Sequence, residues 1–394
     1  MKNKMKQLLP MLLLFVLAAC GGEADIKRAD DWKDTHPEVY ATYLDNNEME
    51  ATTYGGSEPI DYLEKYPYLK VFYDGFGFSK EYSRARGHTY AVEDAINTSR
   101  PKPGASCLAC KTGDFTEALN KEGIEVNAID FDEFVAEHAE MEGVSCFDCH
   151  KNEPGTVNLT REHFKVGLEH IDVEGVTPGD QSCGQCHTEY YMDPETAEVI
   201  LPWENGLETD DMLAYYDDID FADWEHPTTG TQLLKVQHPE FETFQGSKHE
   251  MAGLSCVDCH MPEVEGEDGE DFRSHHWTSP LKNIEASSCF DCHSDETPES
   301  LIAWVEEVQG PVAVKTDEVA EVILELITEL TEAVESGSQS EEVLEQARDL
   351  HRKAQFKWDF VFVENGEGFH NSDLAHKNLD EAKVLAEKGI SLLK

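Results

Sequence analysis

Ten of the eleven cysteines in this chain form five pairs with identical spacing, and this repeat limits the possible folds more than any other feature. Each pair reads Cys-x-x-Cys, and the pairs are Cys107/Cys110, Cys146/Cys149, Cys183/Cys186, Cys256/Cys259 and Cys289/Cys292. The next residue is Lys111 in the first pair and, in the others, His150, His187, His260 and His293. Cys-x-x-Cys-His is the attachment signature of a c-type haem. The sequence therefore predicts five covalently bound haems c, numbered 1 to 5 in chain order.

The first residues predict export and a lipid anchor. Three lysines precede an apolar run at residues 8–17, which is too short to span a bilayer and is typical of a signal peptide. The run leads into Leu-Ala-Ala-Cys20, which resembles the site where bacteria cleave before a lipid-modified cysteine. An ordinary cleavable signal is the alternative, but Cys20 is the one cysteine outside the pairs. We expect a signal peptide at 1–19, a tether at 20–35 and an extracytoplasmic protein, such as a periplasmic one, that contacts a bacterial membrane through its anchor alone.

Paired cysteines have two other interpretations, which are zinc binding and disulfide formation. One Cys-x-x-Cys-His would leave that choice open. Four copies and a lysine variant in a chain with an export signal favour haem, because haem c is attached outside the cytoplasm.

Lys111 is the informative deviation from the repeat. A lysine amine ligates iron only after losing its proton, so its pKa must be lowered by the metal and by burial. A degenerate site is the alternative, but both cysteines remain, and a haem bound to them still needs a fifth ligand. A haem with two histidines is coordinatively full and carries electrons. The pattern therefore predicts one reactive haem and four electron-carrying haems.

The chain is strongly acidic, with a net charge of −50. This charge disfavours nucleic acids and anionic membrane surfaces as partners. An anionic substrate would need a locally positive path to its site, because the global field repels it.

The region after the haem motifs is periodic. Apolar residues at helical spacing occupy positions 319–330 and 344–358, and Ser338 followed by Glu341 reads as a capping box. We expect a mainly α, multihaem cytochrome c fold with a compact haem-packed core. It would be a single domain over 36–394, with haem motifs at 107–293 and long C-terminal helices at about 298–394.

From about Arg84 to His370 the chain resembles the ammonia-forming pentahaem cytochrome c nitrite reductases. The resemblance rests on the five motifs and on the stretches Arg86-Gly87-His88, Thr188-Glu189-Tyr190 and Lys235-Val-Gln237-His238-Pro239. It implies distal ligands His275 for haem 2, His88 for haem 3, His370 for haem 4 and His249 for haem 5. For haem 2 the neighbouring His276 is the rival of His275.

The resemblance also implies an active site over haem 1. Arg100 binds the substrate, Tyr190 supplies a phenol, and His238 is the active-site histidine. An ordinary histidine titrates near neutral pH, so His238 is the expected proton donor. The loop from Arg100 to Lys111 is shorter than in many members of the family.

A calcium site next to this pocket is implied as well. Glu189 and Gln237 would give side-chain oxygens, and Tyr190 and Lys235 backbone carbonyls. Such oxygens suit a hard cation.

The implied activity is the six-electron reduction of nitrite to ammonium by a homodimer. The C-terminal helices would form the dimer interface, and the electrons would come from a membrane quinol-oxidising cytochrome c. A multihaem electron carrier without catalysis is one alternative, and a related hydroxylamine or sulfite reductase is another.

Overall fold

The computed structural model describes residues 25–49, 54 and 58–394. The predicted signal peptide and Cys20 lie outside these residues. Within them the chain is mainly helical, as the sequence predicts. The α-helices are α1 (Pro37–Leu44), α2 (Tyr62–Lys65), α3 (Leu69–Phe72), α4 (Ala91–Asn97), α5 (Gly113–Glu122), α6 (Phe131–Glu137), α7 (Cys146–His150), α8 (Glu162–Leu168), α9 (Pro178–Gly184), α10 (Thr209–Asp218), α11 (Glu240–Phe244), α12 (Lys248–Met251), α13 (Cys256–His260), α14 (Cys289–Cys292), α15 (Pro298–Ser336), α16 (Glu341–Phe362) and α17 (Ser372–Leu393).

Strands contribute little to the described part of the chain. They form three antiparallel two-stranded hairpins. These are β1 (Tyr191–Met192) with β2 (Val199–Ile200), β3 (Trp224–Glu225) with β4 (Gln232–Leu233), and β5 (Glu263–Glu265) with β6 (Asp271–Arg273). Short 3₁₀ helices cover Ala29–Trp32, Asp45–Asn47, Gly77–Ser79, His88–Tyr90, Ala105–Leu108, Ile124–Ala128 and Pro280–Ala286.

The three C-terminal helices pack together through the predicted apolar stripes. On α15 the buried positions include Val319, Ile323, Leu326, Ile327 and Leu330, and on α16 they include Leu344, Ala347, Leu350, Ala354 and Trp358. Trp358 also contacts Phe72 of α3, with ring centroids 4.9 Å apart and an edge-on geometry. Burying one such aromatic side chain stabilises the fold by about 1.5–3 kcal/mol. The helical region therefore shares one apolar core with α3 and with the β3–β4 hairpin.

The turn between α15 and α16 differs from the sequence-based prediction. Gly337 ends α15 in a left-handed conformation, with φ 63°, which glycine adopts without steric cost. The next helix is capped by Ser340, whose side chain accepts a hydrogen bond from the Val343 backbone N–H. Ser338, the predicted cap, is exposed and lies too early because the chain needs three more residues to reverse direction after Gly337.

Ser340→Ala is expected to lower the free energy of unfolding by about 1 kcal/mol, because it leaves an N-terminal amide of α16 without its acceptor. Ser338→Ala is the matched control and should change it by less than about 0.5 kcal/mol. Denaturant titration of both variants measures the difference, and equal effects would contradict the assignment of the cap.

The end of the predicted tether is docked on the domain. Arg28 makes a two-pronged ion pair with Asp114 at 2.6 and 2.7 Å, and Ala29 is buried. The Ala29 N–H also faces the carboxylate of Glu142. A bidentate guanidinium–carboxylate pair is geometrically specific, so residues 28–32 belong to the folded domain, although their polar sequence reads as a linker.

None of the described helices combines the length and apolarity needed to cross a bilayer.

Candidate haem centres and active site

Each cysteine pair is presented by one turn of helix or by a helix end. Three pairs lie entirely on α7, α13 and α14, Cys183 lies on the last turn of α9, and Cys107 lies in the 3₁₀ helix before Lys111. Residues three apart on a helix project from the same face. On α7 and α13 the aspartate inside the motif accepts a hydrogen bond from the backbone N–H of the preceding serine, at 2.7 Å for Asp148 and 2.8 Å for Asp258. The motif thus builds its own helix start.

All ten paired cysteines line one continuous cavity of about 2840 Å³. This is several times the volume of about 300–1,000 Å³ typical of one small-molecule site. Each of these cysteines is unbridged, which removes the disulfide interpretation for them. The cavity walls also carry Lys111 and the histidines His88, His150, His187, His249, His260, His275, His293 and His370. Thiols, nitrogen ligands and room for several large groups fit five attached haems.

Three pairs of histidine rings face each other at a spacing that suits one metal ion between them. The ring centroids are 5.9 Å apart for His88 and His187, 6.2 Å for His150 and His275, and 6.1 Å for His260 and His370. An imidazole nitrogen lies about 2 Å from a metal that it binds, so two opposed ligands have centroids about 6 Å apart. The structure places His275 opposite His150, whereas His276 lies near Lys282 and Glu48.

Ring spacing alone does not define such a pair. His226 and His351 are also 5.9 Å apart, but their ring nitrogens hydrogen-bond to the Val71 carbonyl and to Thr231 and Gln355. His187 has a second neighbour, His238, at 6.2 Å. His249 and His293 both line the cavity. Burial lowers the pKa of His249, and the charge of the nearby His293 lowers it further.

The Nδ1 atoms of several cavity histidines are engaged, which leaves Nε2 directed to the cavity. Backbone carbonyls lie 2.8 Å from Nδ1 of His150, 3.0 Å from that of His260 and 3.0 Å from that of His275. A hydrogen bond at Nδ1 sets the tautomer in which Nε2 is free to bind a metal. The partners of these rings therefore orient them as ligands.

Arg100, Tyr190 and His238 line the same cavity as Lys111. The Arg100 guanidinium stacks on Phe78 at 4.2 Å from the ring centroid, and its Nε donates to Thr98 Oγ1 at 3.2 Å. Lys235 Nζ lies 5.3 Å from the centroid of the same phenyl ring. Both cations thus lie against one phenyl ring of the cavity wall, where the charge of Lys235 is paired with the buried Asp359 carboxylate.

His238 and Tyr190 are both uncharged in this environment. Burial lowers the pKa of His238 to about 4. The charge of Glu240 opposes this shift in part, whereas the charges of Lys111 and His187 add to it. The expectation that His238 titrates near neutral pH is therefore wrong for the chain by itself. Its Nδ1 is buried without a hydrogen-bond partner among the described residues. Burial, with Cys110 next, raises the pKa of the Tyr190 phenol, which stays protonated.

Three of the four residues implied for calcium, Glu189, Lys235 and Gln237, are neighbours behind this pocket. Glu189 is buried, its carboxylate accepts from the Gln237 backbone N–H at 2.6 Å and from the Tyr216 hydroxyl at 3.0 Å, and burial raises its pKa well above the usual range. The Gln237 side-chain amide lies 3.1 Å from the Lys235 carbonyl oxygen. A buried carboxylate beside a carbonyl and an amide suits a hard cation, which would offset the cost of burying it.

The sequence profile of the cytochrome c552 family matches residues 28–394. The chain belongs to this family. It is 34% identical to cytochrome c nitrite reductase subunit NrfA of Nitratidesulfovibrio vulgaris, with 93% of this chain and 78% of that protein covered. It is 31% identical to cytochrome c-552 of Bacteroides fragilis, with 92% and 78% covered. The solved cytochrome c nitrite reductase from Desulfovibrio desulfuricans superposes with a TM-score of 0.85 at 31% identity, covering 94% of this chain and 87% of that one.

Membership in the cytochrome c552 family confirms the haem interpretation of the cysteine pairs and the resemblance drawn from the motifs.

Sequence reasoning missed a buried ion pair that joins two of these motifs. Arg161 and Asp148 are 2.5 Å apart with almost no exposed side-chain surface, and Arg161 Nε donates to the Ala109 carbonyl at 2.8 Å. Asp258 pairs with Arg273 at 3.1 Å, but both of these side chains are partly exposed. The repeated aspartate inside the motifs was the available signal, but its arginine partner follows from tertiary structure.

Proposed function

We propose that this chain reduces nitrite to ammonium at haem 1, attached through Cys107 and Cys110 with Lys111 as its proximal ligand. The observation that supports this most strongly is that Arg100, Tyr190 and His238 all lie within electrostatic reach of the first motif, in the cavity that Lys111 lines. Two of the relatives described above are named cytochrome c nitrite reductase. Lysine at the one motif that lacks histidine sets haem 1 apart from the rest.

Each of the other four haems would be ligated by two histidines and would carry electrons. The proposed pairs are His150/His275 for haem 2, His187/His88 for haem 3, His260/His370 for haem 4 and His293/His249 for haem 5. Ring spacing supports the first three, and the family resemblance selects His88 over His238 as the partner of His187. When bound, the haems supply the redox chemistry: one nitrite takes up six electrons and eight protons to give one ammonium ion and two water molecules.

The side chains around Lys111 would hold and protonate the substrate. Arg100 presents a fixed planar cation with several N–H donors, which matches the two oxygens of nitrite. Stacking on Phe78 holds the Arg100 guanidinium in one orientation. The protonated Tyr190 phenol donates a second hydrogen bond. The neutral His238 ring would relay protons by donating from one ring nitrogen and taking up a proton at the other. The Arg100 cation also supplies local positive charge, which an anionic substrate needs in a chain with net charge −50.

Calcium would orient this wall through Glu189, Gln237 and the carbonyls of Tyr190 and Lys235. The solved Desulfovibrio relative is described as having two calcium sites. Glu189→Gln is expected to weaken calcium binding at least tenfold, because it removes the one carboxylate of the set. Calcium content by elemental analysis, and binding by calorimetry after chelation, measure the change. The exposed Glu195→Gln variant is the control and should bind calcium normally.

We also propose that the protein is exported, lipid-anchored at Cys20 and dimeric through the 298–394 region, and that it is reduced by a membrane quinol-oxidising cytochrome c. The exposed apolar side chains Val314 on α15 and Val384 on α17 support a self-association surface on these helices. Light scattering of the purified protein tests the dimer.

The decisive experiment measures ammonium production from nitrite by purified protein containing five haems, with an artificial reductant. The proposal expects ammonium and, by electron paramagnetic resonance, one high-spin haem beside four low-spin haems. An electron carrier without catalysis would show low-spin haems alone and no ammonium. Parallel assays with hydroxylamine and sulfite rank the related substrates, and a chain that turns over either of them but not nitrite would contradict the assignment.

A further inference from the structure

The proposed axial histidines differ in the chemical class of the group that faces their Nδ1 atoms. His150, His260 and His275 face neutral backbone carbonyls. His370 and His187 face buried carboxylates instead, namely Glu364 and Glu240. Both carboxylates lie outside the groups used in the proposed reaction. Their roles therefore need a separate account.

The contact between His370 and Glu364 is built closely. Glu364 is 3% exposed, and its Oε1 lies 2.5 Å from His370 Nδ1. The same oxygen accepts from the Gly366 backbone N–H at 2.9 Å. A side chain at Gly366 would lie 2.7 Å from His370 Nδ1 and 2.9 Å from Glu364 Oε1, so glycine leaves the space in which ring and carboxylate meet.

The contact between His187 and Glu240 is looser and less buried. Glu240 Oε2 lies 3.6 Å from His187 Nδ1 and has no hydrogen-bond partner among the described residues. Glu240 Oε1 accepts from the backbone N–H and the side-chain amide of Asn365. A buried carboxylate oxygen is costly unless it is paired, so the imidazole N–H is the partner that Oε2 requires. Asn365 follows Glu364 directly, so one short segment supports both carboxylates.

We propose that Glu240 and Glu364 are positioning residues that lower the reduction potentials of haem 3 and haem 4 by holding negative charge against His187 and His370. A carboxylate on the far nitrogen makes an imidazole a more basic ligand, and a more basic ligand favours the oxidised metal. A neutral carbonyl at the same nitrogen raises the basicity of the imidazole less. The proposal rests on the haem-ligand assignments of the proposed function, but it does not require nitrite to be the substrate.

The location of haem 3 gives this tuning a use. The Cys186 thiol of its motif lies within hydrogen-bonding reach of Cys110 in the motif of haem 1. Haem 3 is therefore the neighbour of the reactive haem, and haem 4 follows it through the contact between Cys183 and Cys256. Electrons held at low potential on these two haems would pass readily to haem 1.

The test is a potentiometric titration of the holoprotein without nitrite, followed by electron paramagnetic resonance and absorbance. Glu364→Gln keeps the shape and the acceptor oxygen but removes the charge. At a fixed potential it should raise the reduced-to-oxidised ratio of one low-spin haem about tenfold, a shift of about 59 mV for a one-electron couple. Glu240→Gln should raise that of a different low-spin haem. Haem content is measured separately and should stay at five.

Asp373→Asn is the matched control, because it removes an exposed charge three residues from His370 that is not part of the cavity wall, and it should leave all potentials unchanged. Unchanged potentials in Glu364→Gln protein with five haems would overturn the proposal, as would an equal shift in the control. If Glu364→Gln protein fails to mature, the Glu240→Gln protein provides the test alone. A raised potential of one low-spin haem would then support the proposal, and unchanged potentials would overturn it. Wild-type protein that makes no ammonium would refute the nitrite assignment and leave this result intact.

Discussion

Replacing His238 with asparagine is expected to lower the rate of ammonium formation from nitrite by about 10²–10⁴-fold, the range that a positioned proton donor contributes. His238 lines the cavity beside Lys111, and its buried Nδ1 lacks a hydrogen-bond partner among the described residues. Asparagine keeps a polar group of similar size but carries no proton that it can transfer. The measurement is initial-rate ammonium production with an artificial reductant.

Two controls separate this loss from misfolding. His170 is exposed and lies away from the cavity, so His170→Asn should retain wild-type activity. In the His238→Asn protein the four low-spin haem signals should persist, because His238 is not assigned to any of those haems. Wild-type turnover by His238→Asn protein would exclude this residue from proton delivery.

Replacing Asp359 with asparagine is expected to lower the free energy of unfolding by about 3–5 kcal/mol, because it leaves the buried Lys235 ammonium without its counter-ion. Asp359 and Lys235 are 0% and 1% exposed, and Asp359 Oδ2 lies 3.0 Å from Lys235 Nζ. The same carboxylate accepts from the Tyr73 hydroxyl at 2.5 Å and from the Val236 backbone N–H at 3.1 Å. It therefore holds the 235–238 segment that carries His238 and the proposed calcium carbonyl.

The matched control is a surface pair of the same chemistry. Glu325 contacts Lys394 at 2.9 Å with both side chains about half exposed, so Glu325→Gln should cost at most about 1 kcal/mol. Adding Lys235→Met to the Asp359→Asn variant should recover most of the lost stability, because the buried cation is then removed as well. Thermal and denaturant unfolding of the holoprotein measure these differences, and equal costs for the buried and surface variants would contradict the account.

Local patterns were sufficient for the parts of the protein that depend on neighbours in sequence. The haem motifs, the apolar stripes at 319–330 and 344–358, and the mainly helical fold follow from spacing along the chain, because each acts within a few helical turns. The start of α16 was misplaced by two residues, since Ser338 and Ser340 are equally good caps and the choice depends on how the chain reverses after Gly337. Helix ends are the positions where several local solutions compete.

The electrostatics of the site depended on burial, which no local pattern reports. His238 reads as an ordinary histidine, yet its surroundings lower its pKa to about 4. Asp148 reads as a polar residue inside a motif, yet Arg161, distant in sequence, neutralises it in the interior. Desolvation and charge pairing act between residues brought together by folding, so they become visible in the tertiary structure alone.

By itself the sequence determined that five haems are attached, that the first has lysine where the others have histidine, and that most of the chain is helical. These follow from covalent chemistry and local periodicity. Tertiary structure decided which rings face each other, with His275 rather than His276 opposite His150, and which rings meet a carboxylate rather than a carbonyl. The reason is physical: these pairs are defined by distances of a few ångströms, and partners such as His150 and His275, or His187 and Glu240, lie far apart in the chain.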